Sequence, residues 1–429
     1  MVKEYTLLRK QGIGGIGVPV VTVGDTVRRG QLLVRAEGLG ADLHASVDGT
    51  VCVVDDDAVV LTASEHQEED FLPFDEPTNV RAAVRAAGLV GMGGAGFPTH
   101  VKLDTDLHGG VLIVNSVECE PFLGHNIAQL ETEPERIRSG ALYAMQAVDA
   151  ARVILAIKAK HQDSIRIFQD ILRPGDPITV AQLPDLYPMG EERAVIRETL
   201  GTLLPPDQLP SAAGAVVVNL ETVANIASAV EQHRPVITKD LTVVGNVGGK
   251  ARTVLMKDVP IGTPLSAVIE EAGGMPEDHG EIIVGGPFTG KRADPDAVVT
   301  KTTGGIIVTE PFQQDSRPVG LLVCACGANE DRLRQIAASM GAPVVGIERC
   351  KQVCDVRGAL KCENPGICPG QAERVLALRK VGAQILLVAN CTDCTNTVMA
   401  LAPKLGLPVY HSTDHVMRTM GHPLIRKME

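Results

Sequence analysis

The sequence predicts a multidomain chain of α/β and α+β units, and three observations carry that expectation. Its 429 residues are enough for about three or four domains. Between residues 111 and 235, short apolar runs alternate with segments of helical spacing, the pattern of an α/β domain. The C-terminal part repeats itself. Val323-Cys324-Ala325-Cys326 aligns with Val388-Ala389-Asn390-Cys391, and Gly341-Ala342-Pro343-Val344 with Gly406-Leu407-Pro408-Val409, both at an offset of 65 residues.

Composition narrows the function. The net charge of −12 argues against nucleic acid or an anionic membrane as a partner held by bulk electrostatics. No stretch approaches the roughly 18 consecutive apolar residues of a membrane span, and the N-terminal residues lack an apolar signal core. A cytoplasmic protein with no direct membrane insertion is expected. Trp is absent, so the cores must be built from Val, Leu, Ile and Ala. Ten cysteines are present, eight of them between Cys324 and Cys394. Without a secretion signal, such clustering points to metal or redox chemistry rather than structural disulfides.

Taken in order, residues 13–62 alternate short apolar strands with Gly and Asp turns, resembling a barrel-sandwich module of the biotinyl and lipoyl type. No lysine lies between Lys10 and Lys102, so a swinging-arm carrier is excluded and residues 1–62 are read as a structural head. The acidic, Pro-containing residues 64–79 read as a linker, and helix begins near Val80. Strands are expected at 111–114, 153–157 and 215–218, and helices at 133–148 and 162–172. Residues 222–231 are apolar at helical spacing. Over 236–290, a strand pair, a helix at 264–272 and a further strand give a β-grasp layout. Each C-terminal repeat reads as strand, cysteine-bearing turn, helix, Gly-x-Pro-Val and second strand. Two such βαβ units imply a small parallel sheet over 318–429, with Cys326 and Cys391 at equivalent strand ends.

The segment 88–102, GLVGMGGAGFPTHVK, is the densest local signal. Glycines at 88, 91, 93, 94 and 96 are too many for a packed helix or strand. They suit a backbone that approaches a ligand closely, often a phosphate held by N–H groups. A flexible turn between helices is the alternative.

Four blocks in order identify a family. The Gly-rich loop, Val114-Asn115-Ser116-Val117-Glu118-Cys119-Glu120-Pro121, Tyr187-Pro188-Met189-Gly190-Glu191-Glu192 and Val218-Asn219-Leu220-Glu221-Thr222-Val223-Ala224-Asn225 resemble the flavin motifs shared by two proteins. One is the 51-kDa flavoprotein of respiratory complex I; the other is the RnfC component of the Rnf ion-translocating oxidoreductase. The resemblance covers about residues 1–310 and implies an Rnf-type head and an FMN/NADH-binding α/β domain over 80–235. It further implies a soluble-ligand-binding (SLBB) β-grasp domain over 236–290 and a return segment to the flavin domain over 291–317. Val117 departs from the Asp of complex I.

By resemblance the cofactor is FMN. Gly91, Gly93, Gly94 and Gly96 would shape its loop and Lys102 would contact it. Asn115, Glu118 and Glu120 would line the ring, and Asn219 and Thr222 would touch the phosphate end. Tyr187 and Gly190 carry the third block. Phe97, Glu191 and Glu192 would face the nicotinamide nucleotide, making NADH the donor.

The tail lacks ferredoxin-like CxxCxxCxxxCP runs. Instead it has Cys324-x-Cys326, Cys350-x3-Cys354, Cys362-x5-Cys368-Pro and Cys391-x2-Cys394. Thiolates suit an iron–sulfur cluster (2Fe–2S or 4Fe–4S), zinc, or disulfide exchange through Cys391 and Cys394. Cys326, Cys350, Cys354, Cys391 and Cys394 are expected in one site, with Cys362 and Cys368 as a lid or second pair. The layout resembles the electron-transfer proteins associated with D-proline reductase (PrdC). The tail is also similar to the delta subunit of methyl-viologen-reducing hydrogenase. The leading expectation is a flavin-containing electron carrier passing electrons from NADH through cysteine-ligated centres to a reductase such as D-proline reductase. An adaptor relaying electrons at the Rnf complex, and a flavin-free scaffold, are the alternatives.

Overall fold

The structure, a computed structural model, describes residues 2–389 and 398–424. The head is built from short antiparallel strands in two sheets. One pairs Glu4–Leu8, Ala58–Ala63, Gly49–Val54 and Thr26–Val27; the other pairs Val18–Pro19, Leu32–Arg35 and Leu43–His44. Leu7, Leu33 and Leu61 are fully buried between them, which is what alternating apolar strands require. The acidic stretch after the head packs rather than dangles. The Leu72 N–H donates to the Arg29 carbonyl at 2.7 Å, and Phe74 stacks on His233.

The second unit is a parallel four-stranded sheet in the order Ile178–Leu183, Ala150–Lys158, Gly110–Ser116, Ala215–Asn219. The expected strands and helices all occur here. Residues 133–148 give helix Pro134–Ala147, and 222–231 falls within helix Leu220–Gln232. Phe168, Leu112 and Leu155 fill one face of the sheet, and Ile154, Val217 and Ile196 the other. Gly110–Ser116 is first in sequence but interior in the sheet, so the chain leaves it in opposite directions. That reversal opens a crevice at the carboxyl ends of Gly110–Ser116 and Ala215–Asn219, where ligands bind in such sheets. Asn115 and Asn219 are paired in register at its lip.

The third unit is a mixed five-stranded sheet, in the order Lys250–Pro260, Thr238–Val247, Gly305–Val308, Ile282–Val284, Lys291–Ala293. Helix Leu265–Ala272 packs on it. The boundary expected at 290 therefore moves. Residues 291–308, read as a return segment only, supply two strands of this sheet, because the apolar run Gly305–Val308 is buried between neighbours on both sides. The same segment also reaches back. The buried Lys301 amine donates to the Asp42 and Gly88 carbonyls at 2.6 and 2.7 Å.

The fourth unit is a parallel sheet in the order Val344–Arg349, Val319–Val323, Ile385–Val388, Val409–His411. Cys324 and Cys326 follow the carboxyl end of one central strand, and Cys350 that of its neighbour. An antiparallel hairpin, Val353–Val356 with Ala359–Cys362, rises from the same end. The carboxyl ends of the second and fourth sheets face each other.

Helices Pro134–Ala147 and Leu220–Gln232 pack closely through Gly140, where any Cβ would overlap the Val223 carbonyl. Gly140→Ala is expected to cost about 1–3 kcal/mol through overpacking. Thermal denaturation followed by circular dichroism should show a lowered Tm; an unchanged Tm would mean the helices can separate freely.

Candidate functional site

A cavity of about 600 Å3 lies between the facing sheets, within the size range of ligand sites. Met92, Gly93 and Gly94 form one wall, and residues 115–120 and Asn219 form the floor. Gly285, Gly286, Thr289, Thr302 and Gly304 close the side from the third unit. Ala325, Cys326, Leu360, Lys361, Cys362 and Pro365 form the wall opposite the glycines.

The glycines divide by role. A Cβ on Gly94 would meet nothing within 4 Å, so it would project into the open cavity. A Cβ on Gly93 would strike the Asn219 side chain. Gly96 serves packing instead. It has a φ of +68°, and its absent Cβ lets it lie against Gly12, whose Cα would be 2.7 Å away. Gly91 packs near Phe97. The loop is anchored from below, since the Met92 N–H donates to Thr222 Oγ1 at 2.9 Å.

Asn219 caps helix Leu220–Gln232, its Oδ1 accepting from the Glu221 N–H at 3.0 Å. Its place at a helix N-terminus beside Gly93 suits an anionic group. Asn115 Nδ2 donates to the Gly190 carbonyl at 2.9 Å, tying the second block to the third. Ser116 Oγ and Asn126 Oδ1, both on the cavity wall, are buried without a hydrogen-bond partner. A polar ring in the cavity would satisfy them. The open space at Gly94, the helix N-terminus and these orphaned atoms together fit a flavin mononucleotide.

Three expected contact residues, Lys102, Glu192 and Phe97, are off the cavity wall, whereas Glu191 is on it. Lys102 bonds Glu192 at 2.7 Å and the Val217 carbonyl at 2.9 Å and is not on the cavity wall. Glu191 lines the cavity but also caps helix Glu192–Leu200, accepting from the Arg193 and Ala194 N–H groups at 2.9 and 3.0 Å. Phe97 lies behind the loop, its carbonyl accepting from the Gly91 N–H at 2.9 Å.

Glu118 and Glu120 behave differently although two residues apart. Glu120 crosses to the third unit, accepting from the Phe288 and Thr289 N–H groups at 2.8 and 3.0 Å and from Thr289 Oγ1 at 2.5 Å. Burial pushes the Glu118 carboxyl up to about 7, with the charge of Glu120 adding to it. Burial likewise pushes the Cys119 thiol up to about 12, and its sulfur accepts from the Gly190 N–H at 2.6 Å. Cys119 is thus a neutral wall residue.

The thiols of the fourth unit form a chain of contacts. Cys362 meets Cys326, Cys326 meets Cys324, Cys324 meets Cys350, and Cys350 meets Cys368. Contact with Cys324 raises the Cys326 and Cys350 thiols far above the usual range. Gln371 Nε2 donates to Cys350 and Cys368 sulfurs at 3.1 and 3.5 Å. Cys354 stands apart, turned by strand alternation to the Lys361 carbonyl at 3.4 Å. The expected grouping is thus rearranged, with Cys362 and Cys368 inside it and Cys354 outside. Cys391 and Cys394 lie outside the described residues. Iron–sulfur or zinc chemistry fits this set of sulfur donors.

Arg193 and Arg197 brace the site without any sequence signal, and Tyr187, expected at the cofactor, braces it with them. Tyr187 donates its hydroxyl to the Cys326 carbonyl. Arg193 donates to the Cys362 and Glu363 carbonyls at 2.5 and 2.6 Å. Arg197 donates to Asn364 Oδ1 and the Pro365 carbonyl at 2.8 and 2.6 Å. All three sit on or beside the third block, but their partners are well over a hundred residues away in sequence.

Comparison with known proteins accords with this geometry. Residues 84–228 match the family described as the Nuo51 FMN-binding domain, and residues 1–68 the RnfC barrel sandwich hybrid domain. The chain is 43% identical over 230 residues to the cobalamin reductase PduS of Citrobacter freundii, covering 53% of this chain and 49% of that protein. It thus spans about half the length of that relative. It is 30% identical over 333 residues to the RnfC-type component of the Na(+)-translocating ferredoxin:NAD(+) oxidoreductase complex of Acetobacterium woodii, covering 73% and 74% of the two chains. With the corresponding component of the ion-translocating oxidoreductase complex of Rhodobacter capsulatus it shares 32% identity over 320 residues, covering 70% and 61%.

Gly94→Val should fill cavity space at the loop and abolish flavin retention while the fold persists. Flavin fluorescence released from the denatured protein measures this, and full retention would place the cofactor elsewhere. Glu118 offers a pH test. Its carboxyl holds its proton in the folded state up to about 7, whereas an unfolded Glu loses it near about 4.3. Between these values the folded state binds more protons, so stability falls as pH rises. Glu118→Gln should flatten that fall in a plot of Tm against pH; an unaltered slope would assign it to another group.

Proposed function

The chain belongs to the RnfC family of ion-translocating ferredoxin:NAD(+) oxidoreductase components, and on that premise we propose that it is a flavin-binding electron-transfer protein. The observation that carries this reading is the shared cavity with the Gly-rich loop on one wall and Cys326 and Cys362 on the other. FMN is the cofactor and NADH the donor. Bound flavin takes a hydride from a nicotinamide and releases electrons to one-electron centres.

The protein's own groups do the rest. Gly93 and Gly94 let the backbone approach, Asn219 and the helix behind it receive the phosphate, and Ser116 and Asn126 hold the ring. Tyr187, Arg193 and Arg197 keep the thiol-bearing wall in place. We read the mixed sheet of the third unit as an SLBB-type β-grasp, and the fourth unit as a cysteine-rich redox domain built on the internal repeat. Its cysteines hold an iron–sulfur cluster, drawing on Cys324, Cys350 and Cys368, with Cys391 and Cys394 from the adjoining segment. Zinc, and a dithiol pair at Cys391 and Cys394, are the competing chemistries.

The acceptor is a reductase of the D-proline reductase type, reached in the cytoplasm. No helix among the described residues is long and apolar enough to cross a membrane. An adaptor at the Rnf complex is the alternative partnership, in keeping with the family. The 43% identity to a cobalamin reductase favours a second reading, in which the acceptor is a corrinoid.

Anaerobic purification followed by flavin, iron and sulfide analysis tests the cofactors, and protein without flavin would leave only a scaffold. Mixing with NADH in a stopped-flow instrument should bleach the flavin. Glu191→Gln should slow that bleaching with flavin still bound. A wild type untouched by NADH would move the donor to a reduced protein partner. Cob(III)alamin and a D-proline reductase preparation, offered in turn, distinguish the acceptors.

A further inference from the structure

Resting on the flavin reading above, we propose that Cys326 and Cys362 form a reversible dithiol–disulfide couple that exchanges electrons directly with flavin in the shared cavity. The couple faces the cavity, with the metal-holding thiols behind it and Cys324 in contact with Cys326. The two sulfurs come from different segments, one from the turn after strand Val319–Val323 and the other from the last residue of strand Ala359–Cys362. They are nevertheless in hydrogen-bonding contact, and both line the cavity that holds the Gly-rich loop.

The main chain at each cysteine is held by the flavin domain. Tyr187 donates to the Cys326 carbonyl and Arg193 to the Cys362 carbonyl at 2.5 Å. Tyr187 and Phe288 pack beside Cys326, with ring centroids 4.0 Å apart, and shield that end of the cavity. Cys324 touches Cys326 from behind, but the remaining described thiols of the fourth unit do not share the pair's place on the cavity wall. Cys324 and Cys350 are buried at 3% and 5% exposure and stand outside the cavity wall, with Cys350 held together with Cys368 by Gln371. Cys119, the third cysteine on the wall, has its sulfur turned to the Gly190 N–H.

A disulfide is a two-electron acceptor, matched to a cofactor that carries two electrons. In the forward step the Cys326–Cys362 S–S bond breaks and takes two electrons and two protons from the reduced flavin. Two thiols form and the flavin returns to its oxidised state. The reverse step forms the S–S bond and reduces the flavin. The two thiols so formed return to the disulfide by thiol–disulfide exchange with the disulfide of a partner reductase, which takes the two electrons and two protons.

The test uses the full chain, purified anaerobically with its cofactors. Differential alkylation and mass spectrometry of the ferricyanide-oxidised protein should find Cys326 cross-linked to Cys362. Both should be free after NADH or dithionite. In reductive titration, Cys326→Ser and Cys362→Ser should each take up two fewer electrons per flavin than the wild type, while flavin and iron contents stay the same. Cys362→Ala serves if the serine variant folds poorly, and Cys52→Ser in the head should titrate as the wild type does. Loss of iron in either variant would make these sulfurs metal ligands and overturn the couple. So would flavin-replete protein with no cross-link or an unchanged electron count. Wild-type protein devoid of flavin defeats the flavin reading itself, and is recognised before any variant is made.

Discussion

The Glu281 carboxylate sits where the third and fourth units meet, buried, and gathers donors from three side chains. Arg332 bonds it through both terminal nitrogens, Arg292 Nε approaches to 2.7 Å and His415 Nε2 to 2.8 Å. Burial alone would push this carboxyl up, but the hydrogen bonds and charges of Arg332 and His415 outweigh it and hold it well below the usual range. An ionised group so placed is costly to uncover, because removing any partner leaves a buried charge unpaired. Arg332 and His415 belong to helices of the fourth unit, and Glu281 to the edge of the third. This contact therefore sets the angle at which the cysteine-bearing sheet meets the flavin sheet, and the cavity follows from that angle.

A second buried pair does the same work at the other end. Lys239, fully buried, bonds Glu221 on helix Leu220–Gln232, so the strand that begins the third unit is pinned to the helix whose N-terminus faces the cavity. Lys301 joins the head to the approach of the Gly-rich loop through two carbonyls. The cavity is thus walled by the second, third and fourth units, with the head backing the Gly-rich loop, and each of these junctions is closed by a desolvated cation. None of the three would present the cavity alone.

How much of this is legible in the sequence follows from distance along the chain. Periodicity locates three of the four parallel strands of the second unit and the helices Pro134–Ala147, Gln162–Asp170 and Leu220–Gln232, because each reports a local burial pattern that the sheet then satisfies; the edge strand Ile178–Leu183, less deeply buried, escapes it. Glycine density locates the loop, since Gly93 and Gly94 are needed where backbone meets open space. Lys102 escapes such reasoning because spacing from a loop says nothing about direction; on its short helix it turns toward Glu192. Spacing groups Cys354 with Cys350, but strand alternation in the hairpin sends it to the opposite face, while Cys362 faces inward from the paired strand. The grips of Arg193, Arg197 and Tyr187 are invisible because their acceptors are almost all main-chain carbonyls, which leave no trace in residue type.

A clamp that recognises peptide carbonyls is indifferent to the side chains it holds. The Tyr187, Arg193 and Arg197 donors would grip a loop of almost any composition, provided its backbone followed the same path. The covalent join between the flavin-bearing part and the fourth unit is a short stretch around residues 311–318. Together these permit the terminal unit to change its sulfur pattern, or its choice of electron acceptor, without renegotiating its seat on the flavin domain. Over evolutionary time the flavin-bearing half can then stay constant while its outlet diversifies.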